Sequence, residues 1–321
     1  MPRSEYVPTK NIARHGGIWS FHMDKQLADD IVGILPQGRT CFNYYPERYA
    51  WLLLRHVVGE QTSVAALKQS PFAALLQKPR VKAWLAQLGG SRIGVADVLA
   101  ADGDPQPLCF TLSLDCWEGS QTTRGAANLV LQLNFDRRHD ALYQALLKPQ
   151  DQESPFSFGC HPINERGRNT LAWARLDVDL DAGEVLIEEI QNDWLREAAA
   201  YRERPWRLYG IDGSQDDIRR YLDWLLAMYR KVWAEAMLAA TVWFVREELG
   251  VRRLFYHSPA SNVRLKGLDP DWAPPRSIYT DLPRQFCFRS GADVPRFLAG
   301  KRSKIARNAP LYALQLEKVA A

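Results

Sequence analysis

The chain has 321 residues, 46% hydrophobic and 24% charged, with 11 tryptophans. That is apolar mass for one large domain or two ordinary ones, and it excludes both a disordered chain and a small fold dependent on disulfide or metal staples. Its 41 Lys and Arg against 37 Asp and Glu leave a formal charge of +4, too balanced to single out a polyanionic partner.

In chain order, Met1 to Pro8 lack the apolar run of a secretory signal. His15-Gly-Gly and His22, with Arg14, Trp19 and Phe21, form an aromatic arm that is either a binding lip or packing material. The first hundred residues read as helical. Between Glu47 and Glu60, Tyr49, Leu52, Leu53, His56 and Val57 share one helical stripe. Ser70 and Pro71 supply the cap and first turn of a helix over Phe72 to Gln77. Pro79 restarts the chain for Arg80 to Leu88, stopped by Gly89-Gly90. A further short helix is expected within Ser91 to Asp102.

After the loop Asp102-Gly-Asp-Pro-Gln-Pro the period changes to two. Leu108 to Trp117 and Ala127 to Phe135 read as half-buried strands joined by the polar loop Gly119 to Gly125. A helix over His139 to Leu147 is stopped by Lys148-Pro149. Leu171 to Val178 and Glu184 to Ile190 flank a turn at Asp179 to Gly183 and form an antiparallel hairpin. Asp193 to Arg204 is helical. Ser214 opens a helical pattern reaching Leu249-Gly250, with a break expected near Arg230. Its most apolar stretch, Ala236 to Val245, is about half of a membrane span. Leu254 to His257 is a short strand, and the prolines from Pro259 to Pro295 predict a largely irregular ending.

Helices followed by alternating strands predict an α+β fold: an antiparallel or mixed sheet with a long helix packed across it, preceded by a helical N-terminal region. A soft boundary near residue 105 divides residues 1–105 from an α+β unit over 106–321. The five cysteines, Cys41, Cys109, Cys116, Cys160 and Cys287, form no C-x-x-C and are odd in number. Reduced, mostly buried thiols in a cytoplasmic protein with no membrane partner are the expectation.

The densest polar string, Glu188-Glu189-Ile190-Gln191-Asn192-Asp193-Trp194, ends the hairpin. Strict alternation puts Val185, Ile187, Glu189, Gln191 and Asp193 on one face, and Leu186, Glu188, Ile190, Asn192 and Trp194 on the other. At least one of Glu188 and Glu189 then points toward the core or a cleft, where it is paired or raised in pKa as a general base requires. A strand fanning polar residues into solvent and salt bridges at the sheet rim gives the same pattern.

The second string, Tyr256-His257-Ser258-Pro259-Ala260-Ser261-Asn262, puts an acid–base residue where a strand runs into a loop. Its bland counterpart is a strand-end His stacked under the prolines, and Ser258 has no nucleophile elbow around it. The loop Arg207-Leu-Tyr-Gly210-Ile-Asp-Gly213 opens directly into a helix, an arrangement that holds phosphate or carboxylate on backbone N–H groups, with Asp216 and Asp217 competing for that place. His139 and His161 lack metal-ligand spacing. The basic run Lys301-Arg302-Ser-Lys304-Ile-Ala-Arg307 reads as a solvated helix face more than a nucleic-acid contact.

The segment Val185 to Trp194 resembles the IEEIQSDW signature of an uncharacterised domain found in large polyvalent proteins of phages and other mobile elements. The similarity extends to Trp173-Ala-Arg before it and to a long helix and strand after it, here Trp224 to Gly250 and Leu254 to His257, roughly residues 165–290. Asn192 stands where that family more often has Ser, and Tyr256-His257-Ser258 departs from its strand ending. The resemblance implies a site at Glu188, Glu189, Gln191, Asp193 and Trp194, with no activity attached.

A second resemblance lies in the order strand, Arg-x-x-Gly loop, helix, strand and Asn262, which is similar to the centre of a GNAT-type acetyltransferase. It implies acetyl-CoA as cofactor, held by its pyrophosphate on the loop, with Glu189 deprotonating an amine. The spacing Arg207-x-x-Gly210-x-x-Gly213 is one residue longer than that family's, and the helix after it is about twice too long.

The expected function is thus an enzyme acting on a small or phosphate-bearing substrate, most concretely by acyl transfer, between the Glu188–Trp194 and Tyr256–Asn262 strand ends. Glu189 is the base, with His257 and Glu188 beside it. Gln191, Asp193, Trp194 and Asn262 contact substrate, while Arg207, Gly210 and Gly213 hold an anion, and no metal is involved. The alternative is a non-catalytic binding module of phage or mobile-element origin, with Trp194 buried and the carboxylates paired to arginines such as Arg175 or Arg196.

Overall fold

The period-two segments join one eight-stranded sheet, and the helical segments pack on it. The structure, a computed structural model, describes residues 23, 25–35, 40–125, 127–150, 154–163, 168–204, 210–269, 275–291, 293–298 and 300–319. In the first third lie α1 (Lys25–Val32), β1 (Thr40–Tyr44), α2 (Arg48–Val57), β2 (Thr62–Ser63), α3 (Val64–Gln69), α4 (Pro79–Leu88), β3 (Arg92–Ile93) and α5 (Val95–Ala101). The middle holds β4 (Leu108–Trp117), β5 (Asn128–Asn134), α6 (Arg137–Leu142), β6 (Thr170–Asp179), β7 (Glu184–Gln191) and α7 (Trp194–Glu203). There follow α8 (Gln215–Tyr229), α9 (Trp233–Trp243), β8 (Arg253–Tyr256), α10 (Pro259–Lys266), α11 (Asp281–Gln285), β9 (Arg289–Ser290), α12 (Gly300–Asn308) and β10 (Tyr312–Gln315).

The sheet runs β1-β4-β5-β6-β7-β8-β10-β9, with β2 and β3 forming a separate two-residue ribbon. Its neighbours are antiparallel except β7 and β8, which run parallel. A parallel pair needs a crossover, supplied here by α7, α8 and α9. The fold is α+β, as the strand pattern predicts. The expected helix break is also present, since α8 ends at Tyr229 and α9 begins at Trp233.

One face of the sheet is apolar because the alternation makes it so. Phe110, Leu112 and Leu114 of β4, Leu129, Leu131 and Leu133 of β5, Ala172, Ala174 and Leu176 of β6, and Val185 and Ile187 of β7 all join the main core. Onto this face packs α9, whose Ala236 to Val242 are buried all round. A helix with no polar stripe must be covered on every side, and α9 contacts β5, β6 and β7 as well as α2.

The opposite face is polar yet mostly buried. Ser113 Oγ donates to Gln132 Oε1 at 2.6 Å, Asn134 Nδ2 donates to Ser113 Oγ at 2.8 Å, and Thr170 Oγ1 donates to Asn134 Oδ1 at 3.0 Å. A smaller apolar cluster of Leu186, Phe255, Leu265, Phe297, Leu298, Ala306 and Leu311 shares that face near β7 and β8.

Four expectations are corrected. Residues 40–44 are a strand rather than helix: β1 pairs with β4, so sheet and core both cross position 105. Among the described residues, the ending holds helices α10, α11 and α12 and strands β9 and β10 rather than being largely irregular, and β10 sits between β8 and β9. Pro259 starts α10 behind its Ser258 cap rather than breaking structure, because proline's missing N–H costs nothing in a first turn. Of the five cysteines only Cys287 is buried; Cys41, Cys109 and Cys160 are exposed. Among the described residues, no helix is long and apolar enough to cross a membrane.

Candidate functional site

Strand β7 does not keep strict alternation. Arg175 pairs with Glu189 and Leu176 with Ile187, so Glu188 is an extra residue in the ladder, a β-bulge. The bulge resets the phase: Ile187 and Ile190 both enter the main core. Glu188 and Glu189 therefore both turn to the polar face, where uninterrupted alternation would have separated them. Pairing between β7 and β8 ends at Ile187 with Tyr256, one residue before Glu188 and His257. Two co-directional strand ends thus deliver a carboxylate and an imidazole side by side.

Glu188 and His257 are fully buried and lie 3.2 Å apart, Oε2 to Nε2. Thr123, arriving on the loop between β4 and β5, donates its backbone N–H to Glu188 Oε1 at 2.8 Å and its hydroxyl to Oε2 at 2.9 Å. Lys266, at the last turn of α10, donates to the Glu188 carbonyl and sits 3.7 Å from Oε2, with its side chain only 2% exposed. On the far side of the ring, His257 Nδ1 lies 3.1 Å from Ser261 Oγ. A carboxylate only accepts, so the ring proton belongs on Nε2, and Nδ1 accepts from the serine hydroxyl. Carboxylate, imidazole and hydroxyl therefore stand in line.

Arginines frame this line. Arg124 makes a bidentate pair with Asp177 at 2.7 and 2.5 Å, with its guanidinium 4.4 Å from the Phe297 ring centre. Arg302 of α12 donates to the carbonyls of Thr123 and Arg124 at 2.6 and 3.3 Å, tying the loop over the sheet. Arg175 pairs with Glu189 and donates to the carbonyls of Ser120 and Gln121.

The predicted residues divide accordingly. Glu188 and His257 come together, and Asn262 follows Ser261 on α10, buried, with no partner for its Oδ1 among the described residues. Glu189 is held by Arg175 rather than by His257. Gln191 donates to Asp193, and Asp193 is tied to Arg196 at 2.9 Å and to His161 at 2.6 Å. Trp194 points into the core, donating its Nε1–H to the Tyr221 hydroxyl at 2.8 Å. Tyr221 in turn meets His139 Nε2 at 2.8 Å.

Gly210 and Gly213 pair instead with the segment after α6. The Gly210 carbonyl accepts from Gln150 N, and the N–H groups of Asp212 and Gly213 donate to Lys148 and Leu147. Gly213 must be glycine, since a Cβ there would lie 2.3 Å from the Leu146 carbonyl oxygen. Arg207 and the aromatic arm with His15 and His22 lie outside the described residues.

Burial sets the protonation states. Burial pushes the Glu188 carboxyl up, but the His257 hydrogen bond, the Lys266 charge and the Thr123 N–H outweigh it and hold the group at about 2. Burial lowers His257 against the pull of Glu188, leaving it neutral at neutral pH. Burial likewise lowers His139, and burial with the charges of Arg246, Arg55 and Lys318 takes His56 down to about 3.

A histidine lowered on folding binds fewer protons when folded, so its stabilisation is complete above about pH 6.5 and erodes as pH falls through the window down to its folded value. Each such histidine is expected to remove about 1.4 kcal/mol per pH unit there. Asp177, which burial raises to about 6, offsets part of this loss. Urea midpoints between pH 7.5 and 5.5 check the expectation, and a flat profile refutes it.

Thr123, Ser261 and Lys266 were not singled out by sequence reasoning. Lys266 had one available signal, its i,i+4 spacing from Asn262 on the helix after His257. Asp177 and Arg175 stand on the off-face of an alternating strand, which also marks them. A scan against known family models finds no match to the chain, and searches of curated proteins and of solved structures return none.

Proposed function

We propose that the chain is an enzyme acting on a small or phosphate-bearing substrate, with acyl transfer its most concrete form and His257 its acid–base group. The observation that carries this reading is the Glu188–His257–Ser261 line, at 3.2 and 3.1 Å, where the parallel strands end. A neutral imidazole accepts the hydroxyl proton at Nδ1 as Ser261 Oγ bonds to the acyl carbon of a thioester, and the Glu188 carboxylate stabilises the imidazolium. The carbon–sulfur bond then breaks with the imidazolium returning its proton to the departing thiolate, and an acceptor amine or hydroxyl displaces Ser261 by the same steps in reverse. Keeping Glu188, His257 and Lys266 out of water costs stability that well-packed apolar side chains would not, a trade common at functional sites. Ser261 is fully buried, so the reading requires the covering segments to part when substrate enters.

The test is labelling by a fluorophosphonate probe, followed by peptide mapping, with acetyl-CoA and other acyl thioesters as competitors. Labelling is expected at Ser261, absent in Ser261→Ala and reduced at least a hundredfold in His257→Gln. No labelling of the folded protein would end the reading.

A second reading, the non-catalytic binding module, rests on the commitments of the polar string. Glu189 is paired with Arg175, Asp193 with Arg196, and Trp194 is 1% exposed. It predicts no labelling and no thermal shift with CoA species, nucleotides or metals.

A further inference from the structure

A second place on the polar face of the sheet has open space. At the edge, where β4 starts and β5 ends, a cleft of about 520 Å³ is lined by Cys41, Cys109, Thr111, Asp136, Arg137, Arg138 and Arg168. That volume is in the range of small-molecule sites and well above what a bare oxyanion fills.

The charges are lopsided, with three guanidinium groups against one carboxylate. Asp136 is already engaged, accepting from His139 N at 2.9 Å and from the Tyr229 hydroxyl at 3.4 Å. Arg168 is braced by the Phe135 carbonyl at 3.3 Å and by Asp140 at 3.7 Å, and Arg138 lies 5.7 Å from the Trp224 ring centre. Arg137 is exposed and has no ion pair among the described residues.

Thr111 forms part of the cleft wall rather than a donor into it. Its residue is 5% exposed, and its hydroxyl oxygen is shielded from solvent, with no hydrogen-bond partner among the described residues. The neighbour across the ladder, Asn134, spends its amide on Ser113 and accepts from Thr170.

We infer that this cleft binds a small phosphate monoester. The tetrahedral dianion sits between Arg137 and Arg168, whose forked N–H groups match its oxygens. The organic part lies toward Cys41 and Cys109. The site adjoins β1 and β4, with β5 and β6 between it and β7, so the inference stands whatever His257 does.

The experiment titrates the full chain calorimetrically with inorganic phosphate, sulfate and ribose 5-phosphate, and measures iodoacetamide alkylation of Cys41 and Cys109 with each present. Ribose 5-phosphate is expected to bind at least tenfold more tightly than inorganic phosphate and to slow alkylation of both thiols at least tenfold at saturation. Arg137→Ala, an exposed change that leaves Tm in place, is expected to abolish that protection. Protection that survives Arg137→Ala, or no binding by any of the three anions, overturns the assignment. Equal affinity for inorganic phosphate and the ester overturns the ester in favour of free phosphate.

Discussion

Glu188→Ala is expected to lower the stability of the fold by about 3–5 kcal/mol, because it strips the counter-charge from a buried lysine. Lys266 would keep its bond to the main-chain carbonyl but lose the only carboxylate within 4 Å of its ammonium among the described residues. The Thr123 N–H and hydroxyl would lose their acceptor as well, while the His257 Nε2–H keeps the Thr123 hydroxyl oxygen at 3.1 Å. At this size the change corresponds to a fall in Tm on the order of 10 °C.

The double variant Glu188→Leu with Lys266→Met separates pairing from packing. Removing both charges is expected to recover most of the loss, since a buried ion pair replaced by apolar side chains of similar volume is often neutral. Glu189→Ala serves as comparator and should cost less, because Arg175 keeps the Ser120 and Gln121 carbonyls. A loss under 1 kcal/mol for Glu188→Ala, read from urea midpoints, would mean that Lys266 reaches water.

Trp194→Ala is the second large effect, at about 3–5 kcal/mol. The indole packs edge-on against Phe135, His139 and Tyr143, at ring distances of 5.3, 5.2 and 5.3 Å, and tilted against Phe156 at 5.7 Å. Its loss opens a cavity under α8 and removes the donor to Tyr221. Because an indole only donates, the Tyr221 hydroxyl accepts from Trp194 and donates to His139 Nε2, which puts the His139 proton on Nδ1, beside Asp140 at 3.3 Å. Trp194→Phe keeps most of the ring volume and breaks only that relay, so a loss of about 1–2 kcal/mol is expected. If Phe costs as much as Ala, the hydrogen bonds rather than the packing hold this corner.

The hairpin, the strands at 108–117 and 128–134 and the break near Arg230 were legible because each follows from a period or a cap. The meeting of the Glu188 and His257 strand ends was legible too, as a consequence of two strands ending in polar strings. Which glutamate meets the histidine was not, because a bulge has no signature in side-chain alternation and depends on the partner strand. Thr123 and Lys266 reach Glu188 from 65 and 78 residues away, and no local pattern announces such contacts. Strand β1 escaped because Thr-Cys-Phe-Asn-Tyr is too short to show a period of its own. The anion loop at Gly210 to Gly213 misled for the opposite reason: its glycines answer to the close approach of Leu146 and Leu147, not to a ligand.

The extra residue at Glu188 works like a frameshift in the pleat. Residues 184–187 are read in the frame of the main core, and residues 188–191 are read one step out of phase. One strand therefore carries two independent vocabularies, an apolar one fixed by α9 and a polar one facing Thr123, Arg175 and His257. Apart from Ile190, which returns to the core, substitutions in the second half can change what the polar face says without rewriting the sentence that packs the core.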